Sequence, residues 1–308
     1  MSYLNDIYRN FDTNFGEETS TMISFTNSTD IGTIVFAGDQ NSGKYSILSH
    51  LTDKFQISPN DIQGSNVEIK NVIFNFQLID CTSNNLFINN FEKCKMVIIV
   101  IDLSQELPIQ LLESVQNVKE TLSPKPIIKI FLNEAEFVEE NEEEKRFAID
   151  NIIERIKLII NDADIKKISI NDGSSIMEMS MCIQSLLPKK KQLNEDINQF
   201  INSLDYSHAY LVDLQSRLFL LGNDADLDLD TFLSCQGAIE MFIGMTTATD
   251  TKTLQPSASI ELKNGKYLHI FWPTYDVLLI GISSKKTTIA TAKNNVSVLF
   301  HSIRRTLK

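Results

Sequence analysis

Gly38-Asp-Gln-Asn-Ser-Gly43-Lys44-Tyr45-Ser46 is the stretch whose reading decides the fold. It holds the pattern G-x-x-x-x-G-K, with a strand-like run before it and a helix-like run after it, the setting a phosphate-binding loop requires. Thr33–Ala37 (TIVFA) is short, apolar and β-branched, and reads as a buried strand. From Gly43 to Lys54 the apolar residues Ile47, Leu48 and Leu51 form one helical stripe. In such a loop backbone N–H groups and the helix N-terminus cradle phosphates, and Lys44 reaches the outer ones. Gly38, Ser42, Gly43, Lys44, Tyr45 and Ser46 are therefore the candidate phosphate-site residues. One position departs from the pattern. A Ser or Thr hydroxyl normally binds Mg²⁺ directly after the lysine, but here a bulky phenol, Tyr45, is poorly suited to short octahedral coordination. Ser46, the candidate substitute, is one residue late and about 100° further round the helix, so the reading keeps the loop's fold and loses its usual metal ligand.

Outward from this loop the chain alternates strand and helix. Val72–Asp80, Met96–Asp102, Ile127–Leu132 and Lys167–Ile170 read as strands. Helical runs lie near Leu107–Leu122, Glu142–Asn161 and Ser174–Leu187. Nearly continuous apolar strands between helices predict a mostly parallel sheet covered on both faces. Pro188-Lys-Lys-Lys191 is a break. After it the order is helix (Gln192–Leu204), two strands (Ala209–Leu214, Arg217–Leu221), helix (Leu229–Thr247), three strands (Ala258–Leu262, Tyr267–Trp272, Tyr275–Ser283) and helix (Thr288–Leu307). Asn264-Gly265 marks a hairpin turn, read as one needing φ > 0 at both residues. This predicts a small antiparallel sheet with helices. Residues 1–30, rich in Asn, Ser and Thr, read as a loose arm, giving a layout of 1–30, 31–187 and 188–308.

Composition excludes several functions. The 308 residues carry 28 bases and 40 acids, a formal charge of −12, which argues against holding nucleic acid through phosphate neutralisation. The longest apolar run, Met96–Ile101, is far short of the roughly 20 residues a membrane helix needs. No secretory signal or lipidation motif is indicated, so a cytoplasmic protein without direct membrane insertion is expected. Cys81, Cys94, Cys182 and Cys235 are scattered, which predicts reduced thiols. Split at Leu187, the first part has 15 bases and 28 acids and the second 13 and 12. Seven of the acids fall between Glu134 and Glu144, where EENEEE (139–144) reads as a solvated loop and helix start.

Further segments carry a resemblance. Ile57-Ser-Pro-Asn-Asp61, Phe76-Gln-Leu-Ile-Asp80, Val100-Ile-Asp102, Gln184-Ser-Leu-Leu-Pro188 and Tyr210-Leu-Val-Asp213 are similar, in order and spacing, to MSPNE, FQIWD, YVID, QKLIP and FLFD of the Rag/Gtr GTPases of C/D type. The resemblance covers nearly the whole chain. It implies an α/β fold: a Ras-like P-loop GTPase domain followed by an α+β roadblock/longin-type domain. By the same resemblance Asp80 is a Mg²⁺ ligand beside Ser46. Asn133 and Glu136 stand at the guanine-reading motif, Ser169 and Ile170 in the base loop, and Asn84 where a Gln positions the attacking water.

The departures fall where chemistry is done. Ile62 replaces the first switch's Thr, and Ser83-Asn84 replaces Gly-Gln. Asn133-Glu134-Ala135-Glu136 replaces Asn-Lys-x-Asp. With Tyr45, these bias the reading toward weak or lost hydrolysis, since phosphoryl transfer depends on metal and positioning. The resemblance implies GTP/GDP and Mg²⁺ as ligands, and the departures point to weak binding of both. It also implies a heterodimer with a Rag A/B-type GTPase, a lysosomal scaffold complex of roadblock-type proteins, and amino-acid signalling to the TOR kinase complex at the lysosomal or vacuolar surface. Tyr275–Ser283 or Tyr267–Trp272 is expected to present the pairing edge of the C-terminal sheet. A nucleotide-independent pseudo-GTPase scaffold and a trafficking adaptor stay open as alternatives, as does a slow conventional hydrolase.

Overall fold

A computed structural model describes residues 8–14, 29–39, 41–53, 66–70, 74–81, 93–134, 142–214, 216–223, 227–247, 256–274 and 276–307. Twelve strands are found among them: β1 Tyr8–Asn14, β2 Thr29–Ala37, β3 Asn66–Lys70, β4 Phe74–Cys81, β5 Cys94–Asp102, β6 Ile127–Asn133, β7 Asp164–Ile168, β8 Tyr206–Asp213, β9 Phe219–Gly222, β10 Ser257–Leu262, β11 Tyr267–Phe271 and β12 Val277–Ser283. The helices are α1 Lys44–Asp53, α2 Ile109–Thr121, α3 Glu142–Ile159, α4 Ser174–Leu186, α5 Lys190–Leu204, α6 Leu229–Thr247 and α7 Ile289–Leu307. The described residues form two compact units. Those from Thr29 to Glu178 make one; β1 and those from Met179 onward make the other.

The first unit is a six-stranded sheet in the order β3-β4-β2-β5-β6-β7. β4, β2, β5, β6 and β7 run parallel, and β3 joins antiparallel at one edge. The apolar strands form because both sheet faces are covered. Val35, Val97, Ile99 and Ile130 pack with Leu111, Leu112 and Val115 of α2 and Ile149 and Ile156 of α3. Their alternating neighbours Ile34, Phe36, Ile98 and Phe131 are equally buried, as period-two strands between two layers require. The topology puts β2 in the centre, so the loop after Ala37 opens at the carboxyl end of the sheet, where doubly wound folds bind ligands.

The second unit is an entirely antiparallel six-stranded sheet, β1-β10-β11-β12-β8-β9. Ile280 and Gly281 are adjacent on β12 and face opposite sides. A Cβ on Gly281 would fall 2.1 Å from the Tyr206 ring, so the glycine admits that ring, which meets Phe200 of α5 edge-on at 5.6 Å. On the other side Tyr210, opposite Ile280, packs on Phe219, which meets Phe232 of α6 at 4.9 Å. α5 and α6 thus cover opposite faces, and α7 packs beside α5. The α5 stripe of Leu193, Ile197, Phe200, Ile201 and Leu204 is buried, with spacing that matches one helix face.

Several expectations are corrected. The arm 1–30 is not loose throughout: Tyr8–Asn14 is a strand, and β2 begins at Thr29. The strand expected at Lys167–Ile170 is Asp164–Ile168, which leaves Ser169 and Ile170 in a loop. Neither Tyr267–Trp272 nor the Val277–Ser283 part of Tyr275–Ser283 offers an edge, because β11 and β12 lie inside the sheet. At the Asn264-Gly265 turn only Gly265 has positive φ (79°). Gly265 N–H donates to Leu262 O, and Leu262 N–H to Lys266 O, a type I turn closed by a left-handed glycine. Among the described residues no helix is long and apolar enough to cross a membrane. Cys94, Cys182 and Cys235 are buried and form no disulfide among the described residues.

Candidate functional site

The loop from Gly38 to Gly43 is shaped by what surrounds it. A Cβ on Gly38 would lie 2.7 Å from Ser42 Oγ and 2.8 Å from Val100 O, so only glycine lets β2 turn into the loop beside β5. Ser42 N–H donates to Asp39 O at 3.3 Å, which closes the curl. Gly43 has φ +88°, and its Cβ would meet Ile170 Cδ1 at 2.5 Å and Asn133 Nδ2 at 2.6 Å. Both conditions demand glycine. α1 then starts at Lys44, and the N–H groups of its first turn fall outside the helix's own ladder.

Three strand ends converge on this loop. Asn133, at the end of β6 and 4% exposed, donates Nδ2–H to Ser42 O at 3.4 Å. Its carbonyl accepts from Leu103 N–H, and the neighbouring Asp102 carboxylate accepts from Ser104 N–H at 2.8 Å. Ser174 Oγ accepts from Ser169 N–H and donates to Ser169 O, while Ser169 Oγ accepts from Asn171 N–H. These bonds fix the loop that holds Ile170 against Gly43. At the end of β4, Asp80 Oδ1 stands 2.5 Å from Lys44 Nζ, the two side chains 11% and 8% exposed. Lys44 is that oxygen's one polar partner among the described residues.

The structure therefore brings together Gly38, Ser42, Gly43, Lys44, Asp80, Asn133, Ser169 and Ile170. Tyr45 is half exposed, and Ser46 is exposed. Asn84, Glu136, Ile57–Asp61, Ile62, Ser83 and Ala135 lie outside the described residues. The sequence reading missed two contacts. One is the Lys44–Asp80 pair itself. The other joins Glu134 to Lys145 of α3 at 3.2 Å, each about a quarter exposed. Lys145 is the first base after the acidic run 139–144, the one signal that could have found it.

Chemically the site suits an anion. Two glycines hold a backbone curl that any side chain would fill, and the buried Ser42 Oγ has no partner among the described residues. A helix start and an ammonium face the same place. A divalent cation fits less well: Asp80 is a carboxylate ligand, but Lys44 already neutralises it, and a phenol stands where a hydroxyl ligand is needed. Among the described residues no cluster of three His, Cys, Asp or Glu side chains could hold a metal.

A family model, the Gtr1/RagA G protein conserved region, matches residues 33–236, from β2 into α6. No curated protein matches the chain.

Proposed function

Because the chain belongs to the Gtr1/RagA family of G proteins, we propose that it is a C/D-type Rag subunit that holds guanine nucleotide weakly and hydrolyses it slowly or not at all. The observation that carries this reading is the steric cradle. Gly38 and Gly43 are locked against Ser42, Val100, Asn133 and Ile170, and the space this creates accepts phosphate oxygens rather than side chains. Lys44 would leave Asp80 to grip the outer phosphates, and Asn133, held by Ser42 O, would line the base side. Mg²⁺, when bound with nucleotide, would neutralise phosphate charge; Asp80 is the residue that would hold it, with Ser46 as the further candidate.

Beyond the site, we read residues 188–308 as a roadblock/longin-type domain. The strand order β10-β11-β12-β8-β9 between helices on both faces supports this. Through it the subunit would join an A/B-type Rag partner by sheet pairing and reach a lysosomal scaffold of roadblock-type proteins. It would relay amino-acid availability to the TOR kinase complex at the lysosomal or vacuolar surface. A second reading, a nucleotide-independent pseudo-GTPase scaffold, is favoured by one observation: Lys44 and Asp80 balance each other's charge within the chain. The trafficking adaptor has no such observation in its favour.

Titration of the purified chain with labelled GTP, GDP and ATP, with and without Mg²⁺, separates these readings. Guanine-selective binding in the micromolar range with little hydrolysis is expected. No binding at millimolar nucleotide leaves the scaffold reading in possession. Tight Mg²⁺-dependent GTP binding with turnover marks a conventional hydrolase, and selective ATP binding overturns the guanine assignment.

A further inference from the structure

The C-terminal sheet has two ends, and the chain treats them differently. β9 closes one end with four residues, and its pairing with β8 shifts register between Leu211 and Val212. At the other end β10 is a regular six-residue strand, paired without interruption to β11. On its outer side lies β1, antiparallel, from Tyr8 opposite Leu262 to Asn14 opposite Ser257. Every position at which another strand would dock on β10 is thus taken by the chain's own N-terminal segment.

We propose that β1 is a displaceable edge guard, which holds the β10 edge closed in the lone chain and gives way to a strand of the heterodimer partner. The proposal rests on the reading that the two C-terminal sheets join. Three observations carry it. β10 is the longer and more regular of the two ends, and strand addition works through main-chain bonds along a regular edge. Tyr8–Asn14 (YRNFDTN) is built for weak pairing: Asn10, Asp12 and Asn14 belong to the types depleted in strands, and its register slips between Tyr8 and Asn10. Finally, β1 packs mainly against β10 and ends the sheet, so half of its own backbone groups lie outside the ladder.

The arrangement solves a physical problem. A bare, regular edge invites pairing with any exposed strand, a hazard that natural sheets manage by covering or charging it. A tethered strand of low intrinsic propensity covers the edge at high effective concentration yet yields to a better-matched strand. The partner's apparent affinity is then lowered by the fraction of time that β1 occupies the edge.

The test uses the full chain in two variants. Asp12→Pro with Asn14→Pro removes two N–H donors that face β10, opposite Ser259 and Ser257, and loosens β1. Thr13→Cys with Ala258→Cys, which are register partners, staples β1 to β10 when oxidised. Hydrogen exchange at Ser257–Leu262 and binding to a purified A/B-type Rag chain are measured for each. In the proline variant, β10 amides are expected to exchange at least tenfold faster and the partner to bind at least tenfold tighter. The oxidised staple should not bind, and reduction should restore binding. Unchanged β10 exchange in the proline variant overturns the proposal, as does an oxidised staple that binds as well as its reduced form. If neither the wild type nor the proline variant binds the A/B-type chain, the heterodimer reading has failed. Self-association of the proline variant, absent from the oxidised staple, then upholds the guard, and a proline variant that stays monomeric overturns it.

Discussion

Replacing Lys44 by Met should unsettle the whole nucleotide-binding unit, even with no nucleotide present. Lys44 and Asp80 sit 2.5 Å apart, 8% and 11% exposed, with no other polar partner for that carboxylate oxygen among the described residues. Removing one member of a buried ion pair strands the other charge and costs about 3–5 kcal/mol. The unit holds about 150 residues, for which 1 kcal/mol moves the melting midpoint by roughly 3–4 °C, so the Lys44→Met midpoint should fall by roughly 10–20 °C. Asp80→Asn alone strands the ammonium and should also destabilise. The double variant strands neither charge and should recover to within about 1–2 kcal/mol of wild type, a coupling of at least 2 kcal/mol. The assay must watch the right unit. The single tryptophan, Trp272, belongs to the C-terminal unit, so its fluorescence is blind here. Far-UV circular dichroism, with hydrogen exchange of the β2 and β5 amides, reports on the correct sheet, and the two units need not melt together. A Lys44→Met midpoint within 2 °C of wild type, or single-variant losses that simply add in the double variant, would refute the reasoning.

Other changes follow from the same geometry. Gly43→Ala forces a side chain into a φ +88° position against Ile170 and Asn133. It should cost about 1–3 kcal/mol in thermal melts and weaken guanine nucleotide binding at least tenfold by calorimetry. Glu134→Lys breaks a partly exposed pair with Lys145, so stability should change by less than about 1 kcal/mol. Removing negative charge from the base side should tighten GDP binding roughly threefold or more, read by fluorescent-nucleotide titration. His269 is buried, its Nε2–H donates to Ser283 Oγ, which donates onward to Lys285 O, and burial pushes its pKa down to about 4. The unfolded chain binds that proton near 6.5, so the neutral imidazole's contribution is complete above pH 6.5 and is lost as pH falls toward 4, about 3 kcal/mol in all. Denaturation followed at Trp272 should show this slope, and His269→Gln should flatten it.

The readable parts of the fold are those whose signals are local. TIVFA, MVIIVI and the glycine pair of the loop state their structure within a few residues, and each stands where expected as strand or turn. β3 (NVEIK) is too short to show a period, and it forms by pairing with β4. β1 is polar and unpatterned; what makes it a strand is an edge about 250 residues away in the chain. Asn264-Gly265 announces a turn but not its type, because the type depends on how Leu262 and Lys266 pair. The site behaves likewise. Asn133 is readable as a base-side residue, but the closure of Lys44 onto Asp80 and of Glu134 onto Lys145 depends on which strand ends the topology brings together. The misplaced sheet edges have the same origin: strand order is a property of pairing, and apolar content marks β11 and β12 as buried rather than as available.

The division between what this chain keeps and what it changes has a steric cause. Gly38, Gly43, Asn133 and Ile170 touch one another or the same neighbours, so a larger residue at either glycine collides with backbone or buried side chain. Tyr45 projects half exposed from the first turn of α1, and Glu134 pairs with Lys145 near the surface. Substitutions at such positions usually cost little stability. The loop's shape is therefore held by the fold itself, independently of any selection for turnover, while the residues that would supply metal coordination and base contact are free to drift. Persistence of the cradle supports phosphate binding but carries no weight for hydrolysis. That weight falls on Asp80, which pairs with Lys44 and would be released for a cation only when phosphate takes the lysine away. Metal and nucleotide should then bind cooperatively: GDP should raise the affinity for Mn²⁺, used as a paramagnetic probe, by at least tenfold. Equal Mn²⁺ affinity with and without GDP would mean that the ion pair does not gate the metal.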